Sequence, residues 1–215
     1  GSKVAECLIK DGYNVVGIDN LSTGKLSVVP AEVFFIESDA CANDLQEKLD
    51  PFHFDAILHI AGQSSAEVSY SDPVYDLKSN VESTLFLLNY AIIKNIKNFV
   101  YASSATVYGA QANPILLSEE VTPDPISFYA VGKLASERYL KLFTNEYGIS
   151  TVALRLFNVY GPGQNLDNSN QGMASIFLAQ AIRDKKFLVK GSANRFRDFV
   201  YIDDVVNSFI QCLYR

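Results

Sequence analysis

The sequence of 215 residues contains few of the side chains that build metal sites and disulfide frameworks. It has two histidines, three cysteines and no tryptophan. The cysteines are Cys7, Cys41 and Cys212, and their wide spacing matches neither a disulfide framework nor a metal-binding motif. We therefore predict no metal site, and we expect all three thiols to be buried as small apolar side chains. His59 lies within an apolar run and is predicted to be a core residue.

Positive charge and long apolar runs are also scarce. The chain has 18 basic and 24 acidic residues, for a net charge of −6, and no basic cluster, which argues against a nucleic-acid partner. Every apolar stretch is interrupted well before the roughly 20 residues that a membrane-spanning helix needs, so no membrane segment is predicted. The cysteine pattern and the lack of a signal peptide favour the cytoplasm.

Short β-branched runs alternate along the chain with longer segments of helical period. This pattern is typical of an α/β fold in which helices cover both faces of a doubly wound, Rossmann-like parallel sheet. Strands are predicted at 13–19, 33–39, 54–62, 98–105, 151–161 and 187–191, and helices at 4–12, 43–49, 73–94, 127–147 and 174–183.

The ends of the sequence do not fit a complete fold of this type. The chain opens at Gly1 directly with a helical segment, although a central strand should precede that helix in a doubly wound sheet. It stops at Arg215 within an apolar helical pattern. We therefore interpret it as a fragment that lacks its first strand and a C-terminal portion.

Asp19 is the first candidate binding residue. It ends a predicted strand 18 residues after Gly1, which would be the last glycine of a phosphate-binding turn. A carboxylate there can accept hydrogen bonds from both ribose hydroxyls of an adenosine and repels a 2′-phosphate, so it favours NAD over NADP. Equally well, Asp19 could only cap the turn of sequence DNLSTG.

Tyr129 and Lys133, in the sequence YAVGK, form the strongest chemical signal. Four residues apart on a helix, they share one face, with Cβ atoms about 5–6 Å apart. A nearby ammonium, aided by a positive nicotinamide ring, should lower the pKa of the phenol toward the range of a useful base. Alone, the spacing is common on helix surfaces. Ser103 and Ser104, at the end of the preceding predicted strand, make a chance match much less probable, because a strand-end serine can bind the oxygen that the tyrosine deprotonates.

Six segments together resemble the extended short-chain dehydrogenase/reductases, within the NAD-dependent epimerase/dehydratase family. They are IDNLSTG, HIAGQSS, YASSATVYG, SFYAVGK, RLFNVYGPG and RDFVYIDDV, in the family's order, and they look most like the UDP-glucose/UDP-N-acetylglucosamine 4-epimerase branch. The resemblance implies NAD as cofactor, a nucleotide sugar (most simply a UDP-sugar) as substrate, and a homodimer formed through the helices at 73–94 and 127–147. It also implies an NAD-binding domain at 1–157 and the start of a sugar-nucleotide-binding portion at 158–215.

The resemblance also implies roles for individual residues. Ser104, Tyr129 and Lys133 would be catalytic, and Ser104, Tyr129, Asn158 and Arg197 would bind the substrate. The implied cofactor-binding residues are Gly1, Asp19, Asn20, Asp39, Ala40, Ala61, Gly62, Gln63, Asn80, Tyr129, Lys133 and Phe157. Two departures concern the binding loops: the family's glycine-rich turn survives only as Gly1, and the segment KGSANRFRDF lacks the usual second glycine and glutamine.

The residues after Ser104 bear on the type of reaction. Dehydratases of this family place an acidic residue there, whereas this chain has Ala105, Thr106 and Val107, which cannot exchange a proton near neutral pH. The sequence thus favours C4 epimerisation over elimination. Another sugar-nucleotide oxidoreductase or epimerase, or a non-catalytic NAD-binding scaffold on the same fold, remains an alternative.

Overall fold

A computed structural model describes residues 1–110, 116–167, 172–183, 185–189, 192, 194 and 196–214. Its paired strands all run parallel, and helices pack on both faces of them. The predicted α/β, doubly wound fold is confirmed. Within the described residues, every helix is too short or too polar to cross a lipid bilayer.

The strands form three parallel groups. They are β1 (Val16–Asp19), β2 (Phe34–Glu37), β3 (Ala56–His59), β4 (Asn98–Ser104), β5 (Ser150–Leu156), β6 (Asn158–Tyr160) and β7 (Phe199–Tyr201). β1 pairs with β2, β4 lies between β3 and β5, and β6 pairs with β7. In the part of the chain that the structure describes, β1 and β3 are not hydrogen-bonded to each other.

The helices are α1 (Ser2–Lys10), α2 (Leu45–Leu49), α3 (Ala66–Ser71), α4 (Pro73–Leu77), α5 (Ser83–Ile93), α6 (Phe128–Tyr147), α7 (Met173–Arg183) and α8 (Ile202–Leu213). A π-helical turn, Lys78–Glu82, joins α4 to α5.

Alternating side chains along the strands face two hydrophobic cores. Phe99 and Tyr101 of β4 pack in one core with residues of α2, α5 and α6. Val100 and Ala102 pack on the opposite face with residues of α1 and α8. Val16 and Ile18 of β1 pack against the first core, and β3 contributes Ile57 to the first core and Leu58 to the second, so the two sheets share the first core although they are not paired. Because the strands of each group pair in parallel, their carboxyl-terminal ends lie at one edge of the sheet.

Several predicted elements differ from the observed ones. The predicted helix 73–94 is divided by the π-helical turn, where the Ser83 hydroxyl donates to the Ser79 carbonyl at 2.6 Å and the Thr84 hydroxyl donates to the Asn80 carbonyl at 2.6 Å. These hydroxyls satisfy carbonyl groups where the regular helical pattern changes. The predicted strand 151–161 is divided at Phe157 between two sheets.

Two other predictions are wrong in detail. Residues 187–189 are described and form no strand, while the last two residues of that predicted strand lie outside the described residues. The three cysteines are half-buried rather than buried. His59, in contrast, is 2% exposed, as a core residue should be. Burial lowers its pKa to about 3, so its imidazole is neutral.

Candidate active site

The candidate site lies where β4 ends and α6 begins. Ser104 is the last residue of β4, and Tyr129 is the second residue of α6. The Ser127 hydroxyl caps α6 by accepting a hydrogen bond from the Ala130 amide at 3.1 Å. Ser and Thr are favoured at this position because they satisfy an otherwise unpaired amide of the first turn. The cap, two residues before Tyr129, therefore fixes where α6 begins along the chain.

Ser104 and Tyr129 face each other. Tyr129 is 7% exposed, and hydrogen bonding with the Ser104 side chain acts to lower the pKa of its hydroxyl. The Ser104 oxygen also accepts a hydrogen bond from the Thr106 hydroxyl at 3.0 Å. The structure thus brings together a phenol and an alcohol from elements far apart in the sequence.

Lys133 lies one turn further along α6, on the same face. It is 4% exposed, and its ammonium donates to the Ala102 carbonyl at 3.0 Å. The Nζ atom is 4.7 Å from the ring centroid of Tyr101 and 5.7 Å from that of Tyr129. Burial lowers the pKa of Lys133 to about 8, and the Asp76 carboxylate opposes this shift.

The pKa of Tyr129 shifts in the direction opposite to the one expected from the sequence. Burial raises the pKa of Tyr129, hydrogen bonding with Ser104 lowers it, and the Asp76 charge raises it. The Lys133 ammonium is directed to the Ala102 carbonyl, which explains why it does not offset the burial of the phenol. Ser104 and Lys133 alone therefore leave this tyrosine protonated near neutral pH.

The two adjacent serines point in different directions, as neighbours on a strand must. Ser103 is 3% exposed, and its hydroxyl donates to the Glu137 carboxylate at 2.5 Å. Glu137 also forms an ion pair with Arg155 of β5 at 2.7 Å. The guanidinium of Arg155 stacks over the Tyr108 ring at 4.8 Å. Of the two serines, only Ser104 faces Tyr129.

The turn after β3 packs against the π-helical turn. Gly62 has φ +145°, and a Cβ there would lie 2.5 Å from the Asn80 side-chain oxygen, so only glycine fits. Asn80 is fully buried, and its amide nitrogen donates to the Gln63 carbonyl at 3.0 Å. The Asn80 Oδ1 atom has no hydrogen-bond partner within the described residues. Ala61 precedes this turn and is exposed.

Asp19, Asn20 and Asp39 meet at the ends of β1 and β2. The Asn20 amide donates to the Asp39 carboxylate at 3.1 Å. Burial raises the pKa of Asp39, but hydrogen bonds from Cys41, Asn20 and the Ala40 amide outweigh it, so the net shift is downward. The exposed Asp19 accepts a hydrogen bond from the Leu21 amide at 2.8 Å, which is the turn-capping contact considered above. Capping engages Oδ1, while the carboxylate stays exposed at the strand end.

A small pocket separates the start of α1 from the loop after β6. Its volume is about 160 Å³, and it is lined by Gly1, Ser2, Lys3, Val159, Tyr160, Gly161, Pro162, Gly163, Gln164 and Ile202. Gly1 is thus placed beside the glycine-containing segment that follows β6, on the side where that strand ends.

The pairing of β6 with β7 places Asn158 opposite Phe199, which follows Arg197 by two residues. The Asn158 side chain donates to the Asp198 carbonyl at 2.8 Å, and the exposed Arg197 donates to the Phe196 carbonyl at 2.7 Å. Phe157 is half-buried between β5 and β6.

Two acidic residues next to the site, Glu137 and Asp76, are not predicted as site residues from the sequence. Glu137 extends the spacing of Tyr129 and Lys133 by another four residues, so the helical period could have revealed it. Asp76 lies four residues before Asn80, again one turn away. Both look like ordinary surface carboxylates in the sequence, and only the packing of the helices shows that they are buried.

Comparisons with known proteins find similarity over the whole length of this chain. A sequence model of the NAD dependent epimerase/dehydratase family matches residues 1–215. The UDP-glucose 4-epimerase of Mycolicibacterium smegmatis is 34% identical over 218 residues, covering 98% of this chain and 69% of that protein. The Thermotoga maritima UDP-glucose 4-epimerase, solved with UDP-glucose, has a TM-score of 0.93 at 33% identity, covering 98% of this chain and 68% of that one. The Thermus thermophilus UDP-glucose 4-epimerase, in complex with NAD, has a TM-score of 0.91 at 32% identity, covering 100% of this chain and 71% of that one.

Proposed function

This chain belongs to the NAD dependent epimerase/dehydratase family, and from that premise we propose that it converts a nucleotide sugar into its C4 epimer. The observation that carries the proposal is the approach of Ser104 to the buried Tyr129, with Lys133 one turn away. A scaffold protein has no need of a phenol and an ammonium that are both withdrawn from solvent at the end of a parallel strand.

The residues present fit NAD. Within the described residues the buried Asn80 Oδ1 atom has no hydrogen-bond partner, as expected of an acceptor that a ligand would satisfy, and the absence of a Cβ at Gly62 lets the turn after β3 pack closely against it. We propose that Gly62, Gln63 and Asn80 lie against the nicotinamide side. The adenosine would lie against Asp19, Asn20, Asp39 and Ala40, and the remaining proposed contacts are Gly1, Ala61, Lys133 and Phe157.

When bound, NAD supplies a reversible hydride acceptor for the sugar C4. Tyr129 takes the proton of the sugar 4-hydroxyl and later returns it, while Ser104 orients the same oxygen by a hydrogen bond. The buried Lys133 supplies positive charge beneath the phenol and is one turn from it. Because burial raises the pKa of Tyr129, the positive charge of the bound cofactor is needed to make the phenol an effective base.

The surroundings of Ser104 support epimerisation rather than elimination. A dehydratase needs a second acid or base close to the serine to move the proton at C5. Here Thr106 occupies that position, and its hydroxyl donates to Ser104. Glu137 is on the other face of β4, where it is held by Ser103 and Arg155. Within the described residues, the Ser104 side therefore presents an alcohol where elimination would need a carboxylate.

We propose a UDP-sugar as substrate. Residues 158–215 would contribute the contacts to its diphosphate, through Asn158 at the start of β6 and Arg197 in the segment that leads into β7. A guanidinium is well suited to this task because it binds phosphate oxygens with two parallel donors. The Thermotoga maritima relative solved with UDP-glucose supports the same class of substrate.

The reaction can be tested by product analysis. The full-length protein is incubated with UDP-glucose and UDP-N-acetylglucosamine, and proton NMR follows the signals of the sugar C4 position. We expect interconversion with the C4 epimer and no net absorbance of NADH. Steady formation of NADH would instead indicate a dehydrogenase, and a product lighter by one water would indicate a dehydratase. Turnover of GDP-, CDP- or TDP-sugars alone would contradict the UDP-sugar proposal.

We also propose that the protein is a homodimer through α4, α5 and α6. Exposed apolar side chains lie along α6, at Phe128, Val131 and Leu142, and on α4 at Val74 and Leu77, with exposures from 50% to 63%. Val131 and Leu142 are on one face of the helix because eleven residues complete about three turns. Burying such a stripe against a second copy removes it from water.

The double variant Val131→Glu, Leu142→Glu should convert a wild-type dimer into a monomer. Size-exclusion chromatography with light scattering measures the mass, and circular dichroism checks the fold. The matched control is Ile182→Glu, which changes an exposed apolar residue on α7 and should leave the dimer intact. A wild-type protein that is monomeric, or a double variant that remains dimeric, would contradict the proposed interface.

A further inference from the structure

A buried carboxylate lies behind the candidate site, and the mechanism above does not use it. Asp76 of α4 is 1% exposed. A charged carboxylate is costly to remove from water unless it is paired and hydrogen-bonded. Its Oδ1 atom accepts hydrogen bonds from the Gln63 side chain at 2.6 Å and from the Asn80 side chain at 3.2 Å. The two residues that we place on the nicotinamide side are therefore held by the same oxygen atom.

The second carboxylate oxygen of Asp76 faces α6. A Cβ added to Gly132 would lie 3.5 Å from Oδ2, so the helix backbone packs directly against this atom. Lys133 follows Gly132, and its charge acts on Asp76. The net shift of the Asp76 pKa is upward, because burial raises it more than the hydrogen bond from Gln63, the Lys133 charge and the hydrogen bond from Asn80 lower it.

The charges around Asp76 are few. Lys133 and Tyr129 of α6 are the titratable groups that interact with it. Charged residues on the neighbouring α3 and π-helical turn are exposed; they are Glu67, Lys78 and Glu82. Gln63 and Asn80 bring hydrogen-bond donors but no charge. The Lys133 ammonium is thus the cation that balances the buried Asp76 carboxylate.

We propose that Asp76 is a positioning residue for the cofactor. Its carboxylate holds Gln63 and Asn80 in the orientation that receives the nicotinamide side of NAD, and its charge keeps the buried Lys133 an ammonium. This inference rests on the proposed function only in taking NAD as the ligand. Because these side chains are already ordered before NAD binds, the free energy of binding is not reduced by the cost of ordering them.

The test is the variant Asp76→Asn, which keeps the size of the side chain and removes its charge. Cofactor-stripped full-length protein is titrated with NAD in a calorimeter. Hydrogen bonds to a charged group contribute more than those to a neutral one, so we expect affinity to fall about ten- to a hundredfold. Asp72→Asn makes the same chemical change on an exposed residue that precedes α4, and its affinity should equal that of the wild type.

A second readout separates positioning from a structural role. The Asp76 charge raises the pKa of Lys133, so its removal lowers that pKa below about 8. NAD affinity measured against pH should therefore decline at a lower pH in Asp76→Asn than in the wild type. A variant that melts at a lower temperature but keeps wild-type NAD affinity and pH dependence would show a purely structural role and refute the proposal.

A third variant, Asp76→Ser, tests the same role in case the amide of Asp76→Asn prevents folding. It removes the carboxylate and reduces the volume, and the same loss of affinity is expected. If both Asp76 variants are unfolded while Asp72→Asn folds, Asp76 is required for folding and the proposal is wrong. If the wild-type protein binds NAD but epimerises no nucleotide sugar, the proposed reaction is wrong, while the proposed role of Asp76 in NAD binding is unaffected.

Discussion

Replacing Tyr129 by phenylalanine is expected to lower the rate of epimerisation by about 10²- to 10⁴-fold, the usual contribution of a positioned acid or base. The substitution removes only the hydroxyl that faces Ser104 and keeps the buried ring, which is 7% exposed. The fold and the affinity for NAD should therefore change little. Initial rates with a UDP-sugar measure the loss, and calorimetric titration with NAD confirms that the cofactor still binds.

The matched control for this variant is Tyr139→Phe on the same helix. Tyr139 is 37% exposed and lies away from β4, so its hydroxyl should not affect the rate. If the activity of Tyr129→Phe is within a few-fold of that of the wild type, Tyr129 is not the base and the proposed mechanism is wrong. An equal loss in Tyr139→Phe would show that the effect comes from α6 as a whole rather than from the phenol.

The second large effect is expected from Glu137→Gln. The Glu137 carboxylate accepts a hydrogen bond from Ser103 at 2.5 Å and three from Arg155, two from Nε at 3.0 and 3.2 Å and one from Nη2 at 2.7 Å. Its side chain is 10% exposed and that of Arg155 is 20% exposed. Neutralising one partner leaves the other charge buried, which typically destabilises a protein by about 3 kcal/mol or more. Urea unfolding with linear extrapolation measures this change in the free energy of unfolding.

Glu6→Gln is the control for the Glu137 variant. Glu6 contacts Lys3 and Lys10 on the surface of α1, both at 2.8 Å, and ion pairs in water contribute little. Its free energy of unfolding should remain close to that of the wild type. If Glu137→Gln is no less stable than Glu6→Gln, the buried ion pair does not stabilise the end of β4, and Ser104 must be positioned by other contacts.

The fold can be predicted from the sequence because each strand and helix has its own local pattern of apolar residues. The short apolar run in β4 and the helical segment predicted at 127–147 indicate a parallel strand followed by a helix, and both are present. The observed parallel pairings and the two layers of helices confirm the doubly wound class. The family assignment is confirmed as well.

Features that depend on distant contacts could not be predicted. The π-helical turn carries the Asn80 carbonyl to the Ser136 hydroxyl of α6 at 3.1 Å, a contact between residues 56 positions apart. Strand-end position alone does not separate the two serines of β4; the family resemblance selects Ser104, and the structure directs Ser103 to Glu137 instead. Burial of Tyr129 likewise depends on tertiary packing, so the direction of its pKa shift was expected wrongly.

The most direct test of the account follows the hydrogen at C4 of the sugar. Full-length protein containing NAD is supplied with UDP-glucose that carries deuterium at C4, and NMR determines where the label resides in the epimer. Removal of a hydride and its return to the opposite face predict that the deuterium stays at C4 with no uptake of solvent hydrogen. Replacement of the label by solvent hydrogen would show that C4 loses a proton instead, and would contradict a mechanism built on Tyr129, Ser104 and NAD.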